Sequence, residues 1–144
     1  MDSQEIEKLT QELTARMHSM QAAEQKLDAQ ALLDHFSNEV GFCVYSDGQR
    51  VDYETLAEGI NATYHEVEAI SGTIGRLDIR VLSPDHGLVA AEFREEVVTC
   101  EGRKSSNTGV ATWLWNRTPS GWKIVYGQIS HEDENQMTLS ASVD

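Results

Sequence analysis

The chain changes its hydrophobic rhythm near residue 74. Before that point apolar side chains recur at three- and four-residue steps, the period of a helix buried along one stripe. Ile6, Leu9, Leu13, Met17 and Met20 form the first stripe, and Asp2 with Glu5 has capping-box spacing. Asp28 is placed to cap a second helix carrying Leu32, Leu33 and Phe36. Phe42-Cys43-Val44-Tyr45 is a short run of strand formers, and Asp47-Gly48 after it is a hairpin-turn dipeptide. Asp52 then opens a third helix with Leu56, Ile60, Tyr64 and Val67 on one side, and Gly72 and Gly75 bracket its expected end.

From Ile74 onward the alternation is between neighbours. Four strands are expected, at about 74–83, 87–100, 103–117 and 121–131, with ends good to about two to four residues. Turn chemistry separates them: Ser83-Pro84-Asp85-His86-Gly87, Glu101-Gly102 and Thr118-Pro119-Ser120-Gly121. Turns this short join antiparallel neighbours, so helices followed by a meander predict an α+β domain with its helices on one face of the sheet. A twisted sheet wrapped around helices leaves a hollow at its open end, the expected ligand site. Residues 1–131 are expected to form this single domain, and the acidic-to-polar tail 132–144 is expected to fray.

Neither face of the predicted strands is uniformly polar. Val89, Ala91, Phe93, Glu95 and Val97 alternate with Leu88, Ala90, Glu92, Arg94, Glu96 and Val98. One face therefore has helices to cover it, and the other is expected to be covered by a second copy of the chain.

Composition narrows the partners. The 144 residues carry 11 Lys and Arg against 24 Asp and Glu, a formal charge of −13. Such a surface repels phosphate backbones and anionic lipid heads, which argues against nucleic acid and membrane as partners. No apolar run approaches the ~20 residues of a membrane span, and the opening MDSQEIEKLTQEL has no secretory pattern, so a cytoplasmic location is expected. Cys43 and Cys100 are isolated thiols without metal or redox spacing, and the scattered histidines 18, 35, 65, 86 and 131 form no ligand pattern. His131 ends the last predicted strand, within reach of the cavity mouth. No metal site and no cofactor are expected.

The element order resembles that of the nuclear-transport-factor-two-like superfamily, in its SnoaL-like or ketosteroid-isomerase-like branch. Cys100-Glu101-Gly102-Arg103-Lys104 leading into Trp113-Leu114-Trp115 has the group's spacing, and the ending Gly121-Trp122-Lys123-Ile124-Val125-Tyr126-Gly127-Gln128-Ile129-Ser130 is similar to its last strand. The resemblance implies a cystatin-like cone, three N-terminal helices packed on a strongly curved, mixed, mainly antiparallel sheet. Laying the isomerase pattern on the chain puts its oxyanion-binding Asp and Tyr on Ala111 and Met17, neither of which donates a strong hydrogen bond. Steroid isomerisation by that mechanism is disfavoured. The hairpin acid nearest the isomerase base is Asp47, which turn chemistry alone also explains.

The same overlay points the face with Ala111, Trp113 and Trp115 into the cavity, together with Glu92, Arg94, Glu96 and Val98 and with Tyr126, Gln128 and Ser130. Expected catalytic groups are Asp47, Glu96 and Arg94, and expected ligand contacts are Glu92, Trp113, Trp115, Tyr126, Gln128 and Ser130. Val89, Ala91, Phe93, Val97, Val125, Gly127 and Ile129 are then the outward patch of a homodimer. Two functions stay open: acid–base catalysis without a cofactor on a small organic molecule (isomerase, dehydratase or cyclase type), and non-catalytic ligand binding or assembly.

Overall fold

The computed structural model describes residues 1–133. Its first helix, α1 (Ser3–Gln25), is capped by Asp2, whose carboxylate accepts the Glu5 N–H at 2.8 Å. The predicted stripe is buried from Leu9 through Leu13, Met17 and Met20, while Ile6, one turn earlier, remains exposed. A short helix, α2 (Ala29–Leu33), follows with Asp28 capping Ala31. The segment after it lies along the last strand: Ile124 N–H donates to the His35 carbonyl and Ser37 N–H to the Ile124 carbonyl.

The hairpin of β1 (Cys43–Ser46) and β2 (Gln49–Val51) turns on Asp47 and Gly48, at φ +49° and +85°. Positive φ at both central residues is what this tight turn requires, and Asp and Gly tolerate it. Asp52 caps α3 (Tyr53–Glu66) through the Thr55 N–H at 2.8 Å.

Here one boundary differs from expectation. Helix α3 does not run on to Gly72; it stops at Glu66, and β3 (Val67–Ser83) begins at once. Val67 is already paired with Thr99, and Ile70 with Val97. The β-branched residues between 67 and 74 gain a ladder of hydrogen bonds along the next strand, and that tertiary gain overrides the helical spacing.

The meander continues with β4 (His86–Thr99), β5 (Lys104–Thr118) and β6 (Gly121–Asp133). The strand order is β2-β1-β6-β5-β4-β3, antiparallel except where β1 runs parallel to β6. The result is an α+β, cystatin-like cone, with helices packed on a six-stranded mixed sheet. Strand β6 runs through Glu132 and Asp133, past the expected end, and the rest of the predicted tail lies outside the described residues.

Register decides which side chains face the helices, because residues directly opposite one another share a face. Trp113 is paired with Val89 on β4 and with Gly127 on β6, and Ala111 with Ala91 and Ile129. The inner face therefore carries Val89, Ala91, Phe93, Glu95 and Val97 beside Ala111 and Trp113. This reverses the expected orientation of β4 and of most of β6. Val89 and Ala91 are core residues, Phe93, Val97 and Ile129 point inward, and Gly127 lies beneath Trp113, so they form no outward dimer patch. Val125 is the extra residue of a β-bulge between the pairs Leu114–Tyr126 and Trp115–Ile124. That bulge shifts the parity of β6 and brings Trp122 and Ile124 to the inside, where both are buried.

The indole of Trp113 lies against the backbone of β6 because position 127 has no side chain. A Cβ there would overlap the indole and come within 2.9 Å of the Thr112 carbonyl oxygen. Substituting Gly127→Ala should therefore cost about 1–3 kcal/mol through overpacking, read as a lower urea midpoint at an unchanged slope; an unchanged midpoint contradicts the packing described.

Candidate functional site

Between the helices and the inner sheet face lies a cavity of about 580 Å³, a size typical of small-molecule sites. Its walls are mostly apolar: Met17 and Met20 from α1, Leu56 and Ile60 from α3, and Phe93, Trp113 and Ile129 from the sheet. Met17 and Ala111, where the isomerase overlay puts its two oxyanion donors, both line this cavity. The wall at those points is therefore apolar.

Polar groups are concentrated at two places. The first joins β6 to the hairpin turn. Asp47 accepts the His131 backbone N–H at 2.7 Å through Oδ1, and its Oδ2 lies 2.8 Å from His131 Nδ1. The Asp47 N–H in turn donates to the Ile129 carbonyl at 2.9 Å, so the turn is tied to β6 from both sides. The hydrogen bond from the His131 N–H, followed by that from the imidazole, holds the Asp47 carboxyl below its ordinary range. The carboxylate fixes the tautomer with hydrogen on Nδ1 and leaves Nε2 as the basic nitrogen. Among the described residues Nε2 has no hydrogen-bond partner. The His131 ring, which lines the cavity, packs edge-on against Phe93 with centroids 5.6 Å apart.

The second polar place is made by Glu24 on α1, Tyr64 on α3 and Glu95 on β4, all lining the cavity. Helix α1 is tied to β3 beside them: Gln21 donates to the Gly72 carbonyl at 2.6 Å, and Gly72 is paired with Glu95. Desolvation first, then the nearby Glu95 charge, pushes the Glu24 carboxyl up to about 7. The open cavity leaves Glu24 some accessible area, but protein crowds its carboxyl group closely enough to disfavour the charge. Tyr64 is shifted upward as well, by burial first and then by Glu24 and Glu95.

Only part of the expected site is here. Trp113 lines the cavity, and Asp47 reaches it through His131. Trp115 is fully buried in the core, with the Arg16 guanidinium 5.9 Å from its ring centroid. Glu92, Arg94, Glu96, Tyr126, Gln128 and Ser130 are on the opposite, outer face, because the register pairs them with Val110, Thr108, Ser106, Leu114, Thr112 and again Val110; of these, Arg94 also borders the covered cavity. Arg94 and Glu96 form an ion pair at 3.3 Å with side chains 47% and 53% exposed, a solvated contact. Tyr126 is 46% exposed and stands beside Tyr45. A second hollow of about 620 Å³ does lie next to Glu92, Arg94, Val110 and Ser130, but it is more open and no helix covers it. The helix-covered cavity is the better ligand site, since it removes a bound molecule from water on several sides.

Glu24, Glu95 and Tyr64 carry a signal that position alone could have revealed. Glu24 is four residues beyond Met20 on the buried stripe, Tyr64 four beyond Ile60, and Glu95 lies between Phe93 and Val97 in the alternation. Each puts a polar group where the pattern asks for an apolar one.

A carboxyl raised in the folded state favours folding while it is protonated. That contribution is complete below the ordinary carboxylate value and is lost as pH rises through about 7. Glu24→Gln should therefore gain stability relative to the parent protein between pH 4.5 and pH 8, measured as the difference of their denaturation midpoints. A difference that does not change with pH contradicts the environment assigned to Glu24.

No curated protein sequence matches this one. Solved structures do. A nuclear transport factor 2 (NTF2-like) superfamily protein from Salmonella enterica superimposes with a TM-score of 0.75 at 16% identity, covering 88% of this chain and 92% of that one. An uncharacterised protein with a cystatin-like fold from Caulobacter vibrioides gives 0.70 at 12% identity, covering 93% and 96%. A candidate scytalone dehydratase from Novosphingobium aromaticivorans gives 0.76 at 10% identity, covering 85% and 83%. Identities this low speak for the fold alone. The SnoaL-like domain family matches residues 12–133, and with the helix-covered sheet and its cavity this makes the chain a member of the SnoaL-like domain family.

Proposed function

We propose that the covered cavity binds a small, largely apolar organic molecule and that His131, oriented by Asp47, acts on it as a general base. The observation that carries the reading is the 2.8 Å contact of Asp47 Oδ2 with His131 Nδ1 beside an apolar cavity. A carboxylate on one imidazole nitrogen orients the ring and stabilises the imidazolium that forms when the other nitrogen takes a proton. The apolar walls exclude water and strengthen electrostatic interactions near the reacting bond.

The chemistry this supports is removal of a proton next to a carbonyl, followed by its return elsewhere (isomerisation) or by loss of hydroxide as water (dehydration). His131 carries the proton between the two positions. Candidate dehydratases among the structural neighbours, one from Streptomyces avermitilis and the scytalone dehydratase candidate, agree with that reaction class. Met17 and Ala111 provide no oxyanion donors, so any oxyanion must be met by other cavity groups such as the Ser46 or Thr73 hydroxyls. That apolar wall also supports the rival reading, a binding module without catalysis.

A panel of small cyclic hydroxy-ketones and enones assayed for dehydration or isomerisation separates the two. With a turned-over compound in hand, His131→Asn should lower kcat by about 100-fold or more while the compound still raises the melting temperature of the variant. Turnover that survives His131→Asn, or a panel that binds without reacting, contradicts the catalytic role.

A further inference from the structure

Strand β3 stands at the end of the sheet and pairs only with β4. At 17 residues it is the longest strand among the described residues, whereas β2, at the opposite edge, has three. The first part of β3 is tied to α1, where the Gln21 and Gln25 side chains donate to the Gly72 carbonyl. Beyond the bulge between Ile74 and Leu77 no element of the described residues pairs with the free edge. A row of backbone N–H and C=O groups is open there to another strand.

The side chains along this open stretch fall into two rows. Leu77, Ile79 and Val81 lean on the core but are only partly buried. Arg76, Asp78, Arg80 and Leu82 alternate with them on the outer face and are exposed, Leu82 by 55%. Asp78 meets Arg76 at 3.1 Å, but with side chains 58% and 73% exposed this is a solvated contact, readily exchanged for another.

We propose that the open edge of β3 is a pairing surface for a second copy of this chain, joined antiparallel about a two-fold axis at Ile79, so that the two six-stranded sheets become continuous. Residues opposite one another across such a pair share a face. Asp78 then stands against Arg80 of the second copy, twice over by symmetry, and Leu77 against Val81, while Ile79 meets itself. The exposed Leu82 lies across from the aliphatic stem of Arg76. Moving the axis by one residue sets like charges together: Arg76 against Arg80 with Asp78 on itself, or Arg80 on itself. Centring on Leu77 joins Arg76 to Asp78, but the extra residue of the bulge then throws the inward Ile74 against the outward Arg80.

Charge also selects this edge over the rest of the surface. Two copies at −13 each repel, so contact is favoured where the local balance is not acidic. Residues 69–83 carry two Arg and one Asp. An edge guarded against pairing presents like charges to an incoming copy; here the signs complement one another.

Sedimentation of the full chain up to about 1 mM provides the test. The paired strands contribute fewer residues than the roughly 20–30 a side of a standard interface, so the dimer is expected to be weak and concentration-dependent. Asp78→Arg and Arg80→Asp, each folded by circular dichroism, should each raise the dimer dissociation constant at least about 10-fold, since two attractions become two repulsions. Mixed one to one, the two variants should restore a dimer, because Arg at 78 of one then faces Asp at 80 of the other at both symmetry-related places. A parent chain that stays monomeric overturns the proposal. So does a dimer that survives both single reversals, which would place the second copy on the outer sheet face, and so does a mixture of the two variants that fails to associate.

Discussion

The contact between Trp113 and the bare backbone at Gly127 is the constraint from which the functional geometry follows. An indole can lie across a neighbouring strand only where that strand has no side chain in the way. Once Trp113 is seated there, the pairing carries the inner face outward along the sheet, to Val89 and Ala91 on one side and to Ile129 and His131 on the other. A slip of one residue would exchange the faces entirely, sending Arg94 and Glu96 under the helices and Phe93 into water. Leu13, Val89, Trp115 and Ile124, all fully buried, hold the register in the core.

That register gives the cavity a polarity along its length. His131 is bonded to a turn residue with positive φ, and the turn is itself bonded back to β6, so the imidazole is held by backbone as well as by carboxylate. Glu24, Glu95 and Tyr64 instead come from three elements, α1, β4 and α3, that border the same cavity, with α1 tied to β3 by Gln21 on the Gly72 carbonyl. Apolar side chains line the space between. A base at one place and two carboxyls at another are separate devices, and each can fail without the other.

Much of the fold was legible in the residues. Asp2, Asp28 and Asp52 cap the helices they were expected to cap, and Asp47-Gly48 makes the hairpin, because these signals act over two or three residues. The inner face of the sheet was not legible in the same way. Alternation within one strand gives two sets of side chains but does not say which set of the next strand joins which; that depends on register across the turns. The bulge at Val125 reverses parity inside β6, and composition gives it no mark. Thus Trp113 faces inward as expected, while Glu96 and Tyr126 lie on the outer face, and Arg94, on that face by register, still borders the cavity. Glu24 was hidden for a different reason: an acid near the end of a helix ordinarily faces water, and only its place on the Leu9–Met20 stripe sets it apart.

The central claim is that ligands enter the helix-covered cavity and not the outer hollow. Methyl resonances of Met17 and Met20 report on that cavity directly, and Met1, exposed at the other end of α1, is an internal control. On titration with indole, selectively methyl-labelled protein should show the Met17 and Met20 signals moving together and saturating while Met1 stays in place. If Met17 and Met20 remain still while the Val110 methyl resonances on the outer face, labelled in a second sample, shift, the cavity is not the binding site.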